Sequence, residues 1–428
     1  MDNPTILSNY SVLKEYFDDV LNKDKTTYKN SNDEPTPIDC VNEMISKIPE
    51  SFWKQKGLKI LDPCCGNGNF HFVIYHELHK HRTKRRILEE ILYFNDINED
   101  RIKNVKSIFG VKDYELNITQ KDFLKFSEDK DENKYDLIVA NPPYAKFLDD
   151  GSRTSKNHNL IKDFINKTLR LLKPNGYLLY ITPDNWMSLS DRNTLIVELT
   201  KLQIHYLNIH NAKKYFRKIG SSFTWYLIEN SPSYKDFCVE GLWKRGNYSS
   251  MVKSQVREYI PLLYNNSVQK ILEKTVDNDK LEKYKVETSS DLHKYTKRDL
   301  ISTEQSDEYK YKLIHTPKQT VYAKRPHKFQ EGYKVFISTT DTYKIFIDEC
   351  GMTQSIVFIR CNSKEEAENI KNILEHKLYR FLNNICRWGN FNNIRILQRF
   401  PVYKKNDKEI YEYFGITDEE QKYIESNL

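Results

Sequence analysis

The sequence predicts an α/β protein, with a doubly wound, Rossmann-like mixed sheet in its first half and an α+β domain behind it. Three observations carry that expectation. The run Tyr135-Asp136-Leu137-Ile138-Val139-Ala140 holds apolar, β-branched residues without alternation, as in a parallel strand covered on both faces. Leu58 to Leu61 is a second such run, and it passes through a glycine-rich turn into an apolar helix starting at Phe70. Composition then changes after Asn230-Ser231-Pro232, where short strands begin to alternate with basic, aromatic-rich segments. The expected division is an N-terminal helical arm over 1–33, an α/β domain over 34–230 and a second domain over 231–428.

The 428 residues are enough for two or three domains, and the formal net charge of +7 suits a polyanionic partner without requiring one. None of the cysteines at 40, 64, 65, 238, 350, 361 and 386 forms a C-x-x-C pair. That predicts neither a zinc site nor a disulfide framework, and fits a reducing cytoplasm. The first residues, MDNPTILSNY, lack a basic-then-apolar leader, and no apolar run approaches the roughly 18 residues of a membrane span.

Taken in order, Tyr10 to Leu21 reads as a helix. Thr36-Pro37 opens another, with Thr36 as the N-cap and Pro37 at the first helical position. Lys59 to Phe70, KILDPCCGNGNF, places Asp62 at a strand end and Gly66 and Gly68 in the turn. Glycines there allow a tight turn and a close approach to a ligand. The Lys-Ser/Thr of a phosphate-binding loop is missing, and a carboxylate at this position suits a cationic group better than a phosphate. The strand Ile91 to Phe94 ends on Asn95-Asp96-Ile97, where an acid can hold ribose hydroxyls. A weaker strand, Tyr114 to Thr119, leads to Asp122-Phe123. Any one of these acids is more often a solvated turn residue, and their common register at strand ends is what marks a nucleotide site.

The fourth strand stops on Asn141-Pro142-Pro143-Tyr144. Two prolines cannot continue a central strand, and they make a stiff corner at its carboxyl end, where open α/β sheets bind ligands. The Asn141 side-chain carbonyl and the Pro142 main-chain carbonyl are adjacent acceptors, which fits an exocyclic amine with two hydrogens, and Tyr144 offers a ring for the base that carries it.

These motifs resemble those of the gamma-class, TaqI-type adenine-N6 DNA methyltransferases of restriction–modification systems. The resemblance rests on DPCCGNGNF, on NPPY, and on the order of a Thr-Pro segment, cofactor loop, catalytic motif and C-terminal recognition domain. It is specific over about residues 35 to 230. It implies a class I S-adenosylmethionine-dependent methyltransferase fold whose product is S-adenosylhomocysteine. Asp62, Gly66 and Gly68, with Thr36 and Pro37, would lie against the methionine part of the cofactor. Asp96 would accept from its ribose with Ile97 on its adenine, and Asp122 would accept from its adenine amine with Phe123 against the ring. Asn141 and Pro142 would bind the target amine, and Tyr144 would stack on a target adenine flipped out of duplex DNA. Phe216, with Phe223 as the fallback, would supply a second stacking ring, or else Phe216 is a core anchor. No metal is implied.

Lys244, Arg245, Lys324, Arg325, Lys328 and Arg387 lie beside aromatics and are the candidate DNA contacts in the second domain, expected to be its recognition module. The long stripe from Ser363 to Asn384 reads as one helix with its apolar face in the core. A soluble monomer on DNA is expected, with any cognate endonuclease on another polypeptide. The rival readings are a cytosine-N4 DNA methyltransferase, which more often carries Ser in place of Asn141, a protein-glutamine or RNA-adenine methyltransferase, and a non-catalytic DNA-binding module.

Overall fold

Nine strands form one mixed sheet in the computed structural model, which describes all residues except 1–6, 25–33, 111, 126–131, 145–159, 192–193, 217–221, 245, 341, 390 and 405–407. The strands are β1 (Ile60–Asp62), β2 (Leu92–Asn95), β3 (Asn117–Thr119), β4 (Tyr135–Ala140), β5 (Leu172–Pro183), β6 (Leu202–Ile209), β7 (Phe223–Pro232), β8 (Phe237–Trp243) and β9 (Gly246–Val252). Their spatial order is β3-β2-β1-β4-β5-β7-β6-β8-β9. Strands β1 to β5 run parallel, and β7 inserts antiparallel between β5 and β6. The chain reverses its direction of travel across the sheet between β1 and β4. Ligands bind outside the carboxyl ends of strands at such a switch point, and here those ends carry Asp62 and Asn141.

The unalternating runs of β1 and β4 are buried as expected. The N-terminal segment is not an independent arm. Tyr10–Glu15 continues without a break into a π-helical turn, Tyr16–Leu21, and Leu13, Phe17 and Leu21 join the core of this unit. Phe17 and Tyr10 both stack on Phe72 of the helix Asn69–His79, at 5.1 Å and 5.0 Å between centroids. Spacing of four residues sets those apolar side chains on one face, which has to be covered.

The chain divides into two units, one of residues 1–184 with 195–257 and another of 185–194 with 258–428. The change of composition near residue 231 therefore falls at the end of β7 rather than at the boundary between the units. Strand β8 pairs parallel to β6 and β9 closes a hairpin on β8, so the first unit continues to Arg257. The second unit is α+β. It contains a four-stranded sheet and a three-stranded antiparallel sheet over 334–360, with helices Asn266–Lys274, Lys364–Leu374, Lys377–Ile385 and Asp418–Ser426. The single helix expected from Ser363 to Asn384 is two. His376 has extended backbone, and its side chain accepts from the Leu378 N–H, capping a new start inside an unbroken apolar stripe. No helix among the described residues is long and apolar enough to cross a membrane.

Gly68 sits at the mouth of the β1 turn with φ +93°, and a Cβ there would lie 2.8 Å from the Phe109 ring. Gly68→Ala combines a disfavoured backbone with an overpacked core, so it is expected to lower stability by roughly 1–3 kcal/mol. The denaturant midpoint measured by circular dichroism checks this.

Candidate functional site

Two strand ends converge to build the site. Register pairs Ile60 with Leu137 and Leu61 with Ile138, which sets Asp62 and Asn141 at the same edge. Asp136 secures that register, because its carboxylate accepts from the Lys59 N–H at 2.8 Å and pairs with Lys173 Nζ at 2.7 Å. The cleft between the two ends is lined by Thr36, Asp62, Gly66 and Asn141 from the sequence prediction. It is also lined by Glu34, Pro35, Cys64, Cys65, Asn67, Asn69, Phe70, Arg101 and Pro143. Its volume is about 50 Å³, room for a small polar or charged group.

Asp62 is 1% exposed and accepts from the Cys64 N–H at 3.2 Å. Burial, opposed by that hydrogen bond and reinforced by the nearby Asp96 carboxylate, holds its pKa well above the ordinary range. Cys65 is driven up first by burial and then by the same two acids. Asp62 in the cleft and Asp96 just outside its lining bring two buried carboxylates close together, an arrangement that favours positive charge.

Asp96 is buried at the end of β2. Its Oδ2 accepts from the Gly66 N–H at 2.9 Å, its Oδ1 accepts from the Asn98 N–H at 2.8 Å, and Arg101 approaches to 3.7 Å. It braces the glycine turn from below. Ile97, beside it, is 68% exposed, an apolar surface suited to the face of a flat ring. Asp122 begins the short turn Phe123–Lys125, accepting from the Leu124 N–H at 3.0 Å and lying 3.7 Å from Lys125. Phe123 is buried against Phe164 at 5.3 Å. Asp96, Ile97, Asp122 and Phe123 thus border the strand ends outside the lining of the enclosed cleft.

Thr36 does not cap the helix Ile38–Ile45. Pro37 occupies the N-cap position without a side-chain hydrogen bond, and the Ile38 N–H donates to Asp18 Oδ1 at 3.2 Å instead. The Thr36 hydroxyl accepts from Asn141 Nδ2 at 3.1 Å, and the Glu34 carbonyl accepts from the same nitrogen at 2.7 Å. Asn141 Oδ1 accepts from the Tyr144 hydroxyl. The Tyr144 ring leans on Phe223 at 5.9 Å, and Phe223 packs on Phe216 at 4.8 Å. Phe223, the fallback, is the ring in contact with Tyr144, and Phe216 is 4% exposed behind it.

Sequence reasoning missed Asn69, whose Nδ2 donates to the Thr36 carbonyl at 2.8 Å, and Arg101 beside Asp96. It also missed His210, which ends β6 at φ 64° with its ring 2.5 Å from Asp184 at the end of β5. Asn69 follows the glycine turn directly, and that was its only signal. The other two depend on contacts distant in sequence.

The basic candidates separate. Lys244 lies in the β8–β9 hairpin of the first unit, not in the second domain, and Arg245 is outside the described residues. Arg325 is committed to Asp291 at 2.8 Å and 3.3 Å, and its guanidinium is the main cause that holds the Asp291 pKa down to about 2. Lys324 pairs with Glu308 at 2.6 Å, while the Lys328 ammonium lies over Phe329. Arg387 is in the second unit.

A mixed sheet of this order, with a glycine turn after β1 and Asn-Pro-Pro-Tyr after β4, is an S-adenosylmethionine-dependent methyltransferase fold. Residues 12–216 match the family described as Eco57I restriction-modification methylase. The type II methyltransferase M.VspI of Vibrio sp. (strain 343) is 28% identical over 167 residues, 36% of this chain and 38% of that protein. An uncharacterized adenine-specific methylase of Mycoplasma pneumoniae is 28% identical over 174 residues, 37% and 40% of the two chains. The matches span about two fifths of those curated relatives. Among solved structures, the type IIL restriction-modification enzyme MmeI in complex with DNA shares the fold with a TM-score of 0.57 at 10% identity, over 99% of this chain and 68% of that one. A nuclease-deletion mutant of the type ISP enzyme LlaGI with a DNA substrate mimic gives 0.55 at 11%, over 100% and 60%.

Because burial raises the Asp62 pKa, the folded state binds its proton more tightly than the unfolded chain does. Its cost to stability is absent below the unfolded carboxylate range and grows as pH rises through it toward the raised folded value. Asp62→Asn is expected to raise the Tm of the ligand-free protein at neutral pH, with the gain vanishing near pH 4. Calorimetric melts across pH test the sign.

Proposed function

We propose that the protein transfers a methyl group from S-adenosylmethionine to the N6 amine of an adenine flipped out of duplex DNA. The observation that carries this reading is Asn141, which borders an acid-lined cleft with its amide nitrogen held by Glu34 and Thr36 and its Oδ1 accepting from a hydroxyl. When bound, the cofactor supplies an activated sulfonium methyl. Asp62 would hold its cationic amino-acid end, and Ile97 would offer a surface for its adenine. Asn141 Oδ1 and the Pro142 carbonyl accept the two N–H groups of the target amine, which favours a pyramidal nitrogen with a localised lone pair. Fixed acceptors need no reorganisation as the charge develops. The target amine takes the place of the Tyr144 hydroxyl on Oδ1, and the released ring turns to stack on the extruded base.

Asparagine rather than serine at 141 favours adenine over cytosine, in line with the name of the Mycoplasma relative. Duplex DNA as substrate is supported by the restriction–modification family match and by the DNA-bound state of MmeI. We assign target recognition to the second unit, with Lys328 as one of its phosphate contacts. Arg325 is held by two hydrogen bonds to the half-buried Asp291, whereas the single Lys324–Glu308 pair is of the weak kind that a phosphate can displace.

Asn141→Ala should cut the single-turnover methylation rate by roughly 10²–10³. Affinity for DNA and cofactor should stay near wild type, with product read as N6-methyladenosine by nucleoside analysis. Near-normal turnover would remove this corner as the catalytic site, and N4-methylcytosine as product would shift the reading to the rival base. Asp96→Ala, which removes the brace of the glycine turn, should weaken S-adenosylmethionine binding in calorimetry. Tyr144→Ala should weaken capture of the extruded base by about 1–3 kcal/mol and brighten 2-aminopurine at the target position, while Tyr144→Phe keeps the stacking.

A further inference from the structure

We propose that Thr36 is a positioning residue for transfer, its hydroxyl holding in place the Asn141 amide whose direction the neighbouring Glu34 carbonyl sets, so that Oδ1 faces the target base. This rests on the proposed methyl transfer. The two ends of an asparagine amide have nearly the same shape, and only their hydrogen-bond partners tell them apart. A main-chain carbonyl can only accept. With Glu34 O at 2.7 Å and Thr36 Oγ1 at 3.1 Å from the same atom, that atom must be the NH₂. A reversed amide would press its oxygen against the Glu34 carbonyl and turn two donors toward the incoming amine, which cannot bond to them.

Three features set Thr36 apart from an ordinary turn threonine. Its hydroxyl is not used as a helix cap, since Asp18 takes the Ile38 N–H. Thr36 is 3% exposed, so water has little access to replace the bond. Its carbonyl is held by Asn69 Nδ2 at 2.8 Å, and Asn69 is the first residue of the helix that follows the glycine turn. The segment 34–36 is thus a strap between the cofactor loop and the catalytic corner, although Asn69 and Asn141 are far apart in sequence. A disturbance of the loop reaches the amide through one residue.

The test uses the full chain, unmethylated plasmid DNA and tritiated S-adenosylmethionine, comparing Thr36→Val, Thr36→Ser and the same changes on Asn141→Ala. Thr36→Val keeps the shape and removes the hydroxyl. It should lower the single-turnover rate at saturation about tenfold, as expected for one lost hydrogen bond. The Kd for cofactor should change less than about threefold, and Thr36→Ser should restore most of the rate. On the Asn141→Ala background Thr36→Val should cost nothing further, because the group it positions is gone. A wild-type rate for Thr36→Val overturns the proposal. So does a loss confined to cofactor affinity, or a loss that adds in full to that of Asn141→Ala. Thermal melts identify a variant that fails to fold, in which case Thr36→Ala takes its place in the same cycle. If Asn141→Ala itself is silent, the methyl-transfer reading falls. If Asn141→Ala is inactive and Thr36→Val is not slowed, only the positioning role falls.

Discussion

The parallel pairing of β1 with β4 is the constraint on which the rest of the first unit depends. Each strand alone offers only a strand end, one with a carboxylate and one with an amide. Their pairing, fixed by Asp136 between the Lys59 N–H and the Lys173 ammonium, makes the two ends one site. Because both runs are apolar on both faces, a slip of one residue would still bury apolar side chains, and hydrophobic pattern alone specifies the register weakly. The Asp136 contacts supply the missing specification, and the site inherits their precision.

The site holds features that work against stability. Asp62 is buried with one backbone donor for company, and Asp96 stands near enough to raise its pKa further. Gly66 and Gly68 both occupy positive φ in the same turn. Asp96 answers part of this by bonding the Gly66 N–H while Arg101 shields its charge. Poorly compensated negative charge and unusual backbone in one loop are what a cationic ligand can complete.

The basic residues of the second unit differ in how far folding commits them. Of the cations that stood out beside aromatics, Arg325 is a structural ion pair and Lys324 is partnered on the surface. Nearby His327 is buried, its pKa lowered to about 4 chiefly by burial, and it is engaged with Ser289 at 2.8 Å. A net charge of +7 describes the whole chain, whereas partner choice depends on which cations are left uncommitted after folding.

The sequence by itself determined the strand ends and their chemistry. Unalternating apolar runs broken by Gly66 or by Pro142-Pro143 encode where β1 and β4 stop, and the residues at those stops are local facts. Only the tertiary structure decided the partners. Thr36 had two uses open to it, a helix cap or a side-chain acceptor, and Asn141 settled the choice from 105 positions away. The same holds for β8, which joined the sheet through β6 and moved the domain boundary, and for His376, whose side chain restarted a helix that its apolar stripe read as continuous. Local pattern fixes which groups exist and where a strand must end. Which of several equally good hydrogen bonds forms is fixed by what the folded chain brings within 3 Å, and no single stretch contains that information.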